Sequence, residues 1–405
     1  MTATPNRLTL LLAALTGLTA LSIDMSLPAM PELQRVFNAG VAPVQLTLSL
    51  FLLGFAAGQL ICGPLSDRFG RRPVLLVGLV VFSLAGIGCA LSTSLPMLIA
   101  FRTLQGAAAC VGPILTRAIV RDRFEGKDAA SVMSQMTQVM IIAPLVAPTL
   151  GGFLLTSVGW PAIFTTLGIS GALLFGLSWK YLPETMKQEA DDTEPAPTLA
   201  RSFLAVLSDR RSFAHVLTVV AAYAGMFAYI SGSPFVMMKV FGVPESQFGL
   251  YFAATAVALL IGATANRSLL QRHSSESTLR LGARIQLAGV VAIVLAAIAG
   301  VGGLAAIIGP MMLYMAGQGL LMPNAMTAAM APHGRMAGLA SSVIGSLQTV
   351  GGAAAGYLVS TFFDGTTHSL VLTVAGFGGL ASLFHALARK QAQVRCGEVA
   401  IANAR

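Results

Sequence analysis

Twelve continuous apolar stretches of about 20 residues, separated by short polar loops, fill this chain from residue 8 to residue 388. At a helical rise of ~1.5 Å, about 20 residues cross the ~30 Å hydrocarbon core of a bilayer. Inside lipid the backbone must satisfy its own hydrogen bonds, which leaves helices or closed barrels. The runs are continuous rather than alternating, which excludes a strand barrel. Only 10% of the 405 residues are charged and 55% are hydrophobic, whereas soluble domains carry roughly a quarter charged residues. The expected fold class is an all-α integral membrane protein with twelve transmembrane helices. The spans are placed at 8–30, 44–66, 74–94, 96–116, 130–154, 161–182, 213–235, 248–266, 280–301, 303–323, 336–358 and 368–388. The first run resembles a short signal peptide but continues past Asp24 without a small-residue cleavage site, so it reads as an uncleaved helix.

Basic residues in short loops stay on the cytoplasmic side. With an even number of spans and a cytoplasmic N-terminus, all of the 25 basic residues except Arg35, Lys239 and Arg102 fall inside or at the inner boundary. The +9 net charge is therefore a topology signal, and no nucleic-acid partner is expected. Trp160 marks the outer interface of the sixth span, and Trp179 and Tyr181 mark its inner one. Both termini are expected in the cytoplasm of a bacterial cell, with the chain in the inner membrane.

Asp24 is the one carboxylate within the twelve runs. Arg102 is a cation set inside a run, whereas Lys180, Arg280 and Arg284 stand near run ends. Ionisable groups in hydrocarbon are costly, so this pair of opposite sign is a functional candidate. Two blander readings stay open: Asp24 hydrated near the outer interface, and Arg102 snorkelling or bonded only to carbonyls of neighbouring helices.

Residues 183–212 hold Glu189, Asp191, Asp192, Glu194, Pro195 and Pro197, a segment too charged and proline-rich to build a core. It divides an N-terminal six-helix half (1–182) from a C-terminal half with a short tail (213–405) and is expected to be a cytoplasmic linker. Gly63, Asp67 and Arg68 recur as Gly262, Asn266 and Arg267, a weak echo that fits two pseudo-symmetric halves.

After the second span the chain reads Gly63-Pro64-Leu65-Ser66-Asp67-Arg68-Phe69-Gly70-Arg71-Arg72-Pro73. Gly63 is expected to permit close helix approach, Gly70 to supply a turn, and Asp67 to meet a helix N-terminus or an arginine. A merely basic loop would explain the arginines but neither the glycines nor Asp67. The segment resembles the G-x-L-x-D-R-x-G-R-R/K signature of the major facilitator superfamily at every defining position. The resemblance implies the major facilitator fold and a gating role for Gly63, Asp67, Arg68, Gly70, Arg71 and Arg72. It also implies that Arg71 pairs with an acid of the next cytoplasmic loop, where Asp122 and Glu125 are available.

Arg102-Thr103-Leu104-Gln105-Gly106 is similar to the family's R-x-x-Q-G motif, associated with proton transfer. Ala143-Pro144-Leu145-Val146-Ala147-Pro148-Thr149-Leu150-Gly151-Gly152 resembles the antiporter motif, with alanine in place of two glycines and a second proline. Pro144, Pro148, Gly151 and Gly152 then form a bent, smooth helix face, although an ordinary proline-kinked helix also accounts for them. With Asp24-Met25-Ser26-Leu27-Pro28-Ala29-Met30-Pro31 and Tyr229-Ile230-Ser231-Gly232-Ser233-Pro234, these departures resemble the drug/proton antiporter branch of the bicyclomycin/chloramphenicol-resistance type. The resemblance covers nearly the whole chain. It implies proton-coupled export of small lipophilic drug-like molecules, with Asp24 and Arg102 coupling protons, and a monomer in the bilayer. An exporter of a sugar, amino acid or other metabolite remains the alternative.

Tyr223, Met226, Phe227 and Tyr229 offer ring and thioether surface suited to varied lipophilic ligands, and Gln138 and Asn324 are polar candidates; ordinary packing is the competing reading for each. Four cysteines without C-x-x-C spacing and five scattered histidines indicate neither metal nor disulfide. No cofactor is expected, and Gly126-Lys127-Asp128 lacks the features of a nucleotide loop. An intramembrane serine protease built on Gly168-Ile169-Ser170-Gly171 and His385 fails on the offset between the two residues along their spans, roughly 10 Å at ~1.5 Å per residue.

Overall fold

The computed structural model describes the chain over residues 7–186, 199–300 and 303–403. The acidic, proline-rich stretch assigned to the linker, 187–198, lies outside the described residues. The described chain is helical, without a strand. Its first eight helices are α1 (Arg7–Asp24), α2 (Met30–Val36), α3 (Val41–Phe69), α4 (Arg71–Ala90), α5 (Leu95–Ala109), α6 (Val111–Arg123), α7 (Gly126–Ser157) and α8 (Trp160–Tyr181). They are followed by α9 (Leu199–Ser208), α10 (Arg210–Pro234), α11 (Glu245–Leu269), α12 (Ser275–Ile298), α13 (Ala305–Met330), α14 (Ala337–Thr361) and α15 (His368–Asn403).

Among the described residues, eleven helical rods are long and apolar enough to cross a membrane. The run expected at 336–358 is also a helix, α14, of 25 residues. Large hydrophobic side chains such as Val77, Leu84, Phe153 and Leu372 are more than half exposed, which suits a protein whose surrounding solvent is lipid.

Prolines decide where two spans break. Pro28 has no N–H to donate to the Asp24 carbonyl, so α1 stops at Asp24; a turn of 3-10 helix (Leu27–Ala29) and α2 complete the crossing. Pro113 likewise cannot donate to the Ala109 carbonyl, and the Thr19 hydroxyl of α1 takes that acceptor at 2.9 Å. The fourth span is consequently two helices, α5 and α6, joined at Cys110.

The chain forms two compact units. Unit 1 contains 1–194, 230–253 and 360–366; unit 2 contains 195–229, 254–359 and 367–405. In unit 1, α3 and α5 meet backbone to backbone: a Cβ on Gly106 would collide with the Phe51 carbonyl. In unit 2, Val216, Val219, Leu279, Leu321, Val343 and Ile344 form a dry core. Val206 of α9 is fully buried in it, so the last part of the expected linker is a packed helix. Phe203 and Val206, spaced by one helical turn, give that segment a face to bury, which the acidic stretch before it lacks.

Candidate functional site

At one end of unit 1, α3 closes on Gly70, whose φ of +97° falls where a side chain is strained. Helix α4 then begins at Arg71, a residue 7% exposed. Its Nη1 donates to Asp67 and, at 2.6 Å, to Ser66 Oγ, while Nε donates to Asp122 Oδ2 at 3.2 Å. One planar guanidinium thereby ties the end of α3 to the end of α6, a geometry a lysine would not reproduce. Of the two acids available to Arg71, Asp122 is the partner; Glu125 instead precedes the first turn of α7.

A residue the sequence did not single out completes this corner. The Glu184 carboxylate accepts from the backbone N–H of Arg71 at 3.0 Å and of Arg72 at 3.2 Å. It also accepts from the N–H of Thr185 and Met186. Burial pushes this carboxyl up, but the four N–H donors outweigh burial and hold it below the usual glutamate range. The anion also sits at the positive end of α4. Arg72 lies over the Trp179 ring at 5.4 Å and donates to the Trp179 carbonyl at 2.8 Å, and Arg68 lies over Phe69. Gly63 does not have the expected role: a Cβ there would meet nothing within 4 Å among the described residues. The close approaches of α3 occur earlier, at Gly54 and Gly58, against the Thr103 and Ala107 carbonyls.

The second cluster lies within the membrane span. Asp24 is 4% exposed at the proline-induced end of α1. Among the described residues no ion pair engages it, and in particular none joins it to Arg102. Arg102 is fully buried and does not snorkel. Its Nη1 donates to Gln105 Oε1 at 2.8 Å and its Nη2 to the Ser22 carbonyl at 3.2 Å, two residues before Asp24. Its guanidinium lies 4.2 Å from the centre of the Phe51 ring and 5.6 Å from that of Phe164. Two ring faces and two acceptors offset part of the several kcal/mol that burial of such an ion costs. Gln105 stands at i+3 within the quoted motif, so helical spacing pointed to it; nothing local pointed to Phe51 or Phe164.

Helix α7 keeps Pro144 and Pro148 inside one continuous helix. A Cβ on Gly151 would collide with the Met25 carbonyl, and one on Gly152 would lie 2.6 Å from the Glu245 carbonyl. The glycine face thus bears directly on the broken segment after Asp24.

The candidate substrate residues separate. Tyr223 and Phe227 stack at 4.7 Å over Gly352 of α14, and Met226 is half-buried beside them in sequence. Tyr229 is fully buried. Gln138 is exposed on α7. Asn324 is taken up by structure: its Nδ2 donates to Asn266 Oδ1 at 2.6 Å and to the Leu320 carbonyl, and its Oδ1 accepts from Ser275 at 2.8 Å. Ser170 spends its hydroxyl on the Thr166 carbonyl at 2.8 Å.

The family model described as Major Facilitator Superfamily matches residues 12–356. The chain is 30% identical over 371 residues to a bicyclomycin resistance protein homolog of Haemophilus influenzae, covering 90% of this chain and 92% of that protein. It is 32% identical over 332 residues to a chloramphenicol resistance protein of Pseudomonas aeruginosa, covering 81% and 76%. The xylose transporter XylE from E. coli, solved in a partially occluded inward open conformation, superposes with a TM-score of 0.73 at 16% identity over 93% of this chain and 96% of that one. At that identity the last likeness concerns the fold alone.

Proposed function

The chain belongs to the Major Facilitator Superfamily and is a multi-pass membrane transporter rather than an enzyme; on that premise we propose that it exports small lipophilic compounds in exchange for protons. The relatives named for bicyclomycin and chloramphenicol resistance make those two compounds the first substrates to try. The placement of basic residues supports both termini lying in the cytoplasm of a bacterial inner membrane.

One observation carries this reading: a carboxylate 4% exposed at a break in a membrane-spanning helix, with no cation paired to it among the described residues. An ionised carboxylate there is costly, and taking up a proton removes the cost. Asp24 would be loaded from the outside, carried neutral through the change of access, and discharged inside. Each proton entering down the electrical gradient delivers ~2.3 kcal/mol per 100 mV, and a tenfold uphill drug gradient needs ~1.4 kcal/mol.

Arg102 acts beside this step. Anchored on the Ser22 carbonyl, it holds the end of α1 two residues before Asp24. The Gly151 face gives that end of α1 a smooth surface to slide on. The Arg71 corner serves as the latch whose pairs form and part during the cycle. The stacked Tyr223 and Phe227 rings, with Met226, offer the adaptable apolar contact a drug-like ligand requires.

Inverted vesicles energised by respiration, with and without an uncoupler, test the proposal. Wild-type vesicles should accumulate chloramphenicol or bicyclomycin and release protons when drug is added. Asp24→Asn should lose both signals at unchanged protein level, and Asp24→Glu should keep part of them. Undiminished proton-driven accumulation by Asp24→Asn sinks the reading. Proton-coupled movement of a sugar or amino acid, with neither drug transported, selects the metabolite alternative.

A further inference from the structure

Helices α4 and α8 touch closely near their middle, where a Cβ on Gly86 would lie 2.9 Å from the Cα of Gly168. They part towards Arg72 and Trp179. Between them there opens a groove of about 540 Å³, walled by Leu76, Val77 and Val80 on one side and Phe175 and Trp179 on the other. Both walls belong to membrane spans, and Val77 and Trp179 are 64% and 61% exposed. Arg72 closes one end of the groove. Its Nη2 holds the Trp179 carbonyl, but its Nε is buried and has no hydrogen-bond partner among the described residues. Among the described residues the guanidinium has that carbonyl as its single acceptor, and a cation at the head of an apolar slot gains from a further one. Glu184 at the rim is not bonded to that side chain: its Oε1 accepts from the N–H of Arg71, Thr185 and Met186, and its Oε2 from the backbone N–H of Arg72.

We propose that this groove is a binding site for one anionic glycerophospholipid. The phosphate oxygens accept from Arg72, and an acyl chain lies along Leu76, Val77, Val80 and Phe175. Charge complementarity selects the anionic headgroup, since a zwitterionic lipid carries its own ammonium beside the phosphate. The apolar length of the slot at membrane depth selects a lipid over a soluble phosphate compound. Trp179, with its indole at the head of the slot, is suited to the boundary between headgroup and chain.

The chain has two tryptophans, so Trp160→Phe leaves Trp179 as the single reporter. This variant is reconstituted into phosphatidylcholine vesicles doped, at equal low mole fraction, with brominated phosphatidylglycerol or brominated phosphatidylcholine. Phosphatidylglycerol should quench Trp179 with an apparent affinity about fivefold higher, the effect of about one basic residue at a membrane surface. Arg72→Gln in the same background should remove the preference. Val80→Phe, which fills the slot at a position 39% exposed, should weaken quenching by both lipids. Inorganic phosphate should displace neither. Equal quenching by the two lipids, a preference that survives Arg72→Gln, or displacement by phosphate alone overturns the assignment.

Discussion

Both units bury amides and hydroxyls, but they differ in the charged groups they bury. Among the described residues, every Asp, Glu, Lys or Arg less than 9% exposed lies in unit 1: Asp24, Arg71 and Arg102. Unit 2 buries amides, hydroxyls and two histidines, His333 and His385. Gln286 donates to Gln318 at 2.6 Å, Asn324 to Asn266 at 2.6 Å, and the Tyr314 hydroxyl to the Ala222 carbonyl at 3.2 Å. The contrast is sharpest at the related corners. Asp67, Arg71 and Asp122 join the ends of α3, α4 and α6, whereas Asn266, Ser275 and Asn324 join α11, α12 and α13 without a charge. A neutral pair breaks and reforms cheaply whatever the pH, while a charged one couples movement to protonation and to field. In the proposed exchange, the carboxylate that takes up the proton lies in unit 1.

The comparison can be broken most forcefully at the corners. Arg71→Ala should leave Asp122 only the longer contact with exposed Arg121 at 3.9 Å and cost about 3 kcal/mol, because one partner of a mostly buried pair is removed. Asn324→Ala should cost only about 1 to 2 kcal/mol, the loss of neutral hydrogen bonds. Thermal unfolding in detergent, alongside drug accumulation in vesicles, measures both. If the two variants lose equal stability and transport, the charged corner has no special standing.

A smaller effect is expected in the amide pair of unit 2. Gln318→Leu should cost about 1 to 3 kcal/mol by leaving the Gln286 amide without its acceptor, and adding Gln286→Leu should restore most of the loss. The restoration is expected because Gln286 Oε1 and Gln318 Nε2 already lack partners among the described residues. A double variant as unstable as the single one would show that these amides do more than satisfy each other.

The smallest effect concerns acid. The Glu184 carboxyl titrates below its ordinary value of 4.5, so its contribution to stability is complete above pH 4.5 and falls away as pH drops through the lower, folded value. Glu184→Gln keeps an oxygen acceptor but not the charge. Its unfolding temperature should therefore depend less on pH below 4.5 than that of the wild type, with similar values near neutrality. Parallel pH profiles for the two proteins would remove Glu184 from the corner's energetics.

Much of the site was legible because it is local. Gly70, Asp67 and Arg71 follow one another within a single loop, and Arg102 and Gln105 stand one helical turn apart. What escaped notice was joined across long separations. Glu184 meets the N-terminus of α4 from more than a hundred residues away, and the rings of Phe51 and Phe164 close on Arg102 from two other helices. Gly63 misled for the complementary reason: a glycine in a motif permits close approach, but only the neighbouring helix decides where contact is made.

Composition and run length alone determined that this chain crosses a membrane many times as helices, because lipid denies the backbone every other partner. Which prolines break a span was left to the tertiary structure: helices end beside Pro28 and Pro113, whereas Pro64, Pro144 and Pro148 lie inside continuous ones. The partner of each buried charge was decided by tertiary structure. Which carbonyl, ring or carboxylate lies within about 3 to 4 Å is set by how helices pack, and helix packing depends on the shapes of side chains far apart in the chain.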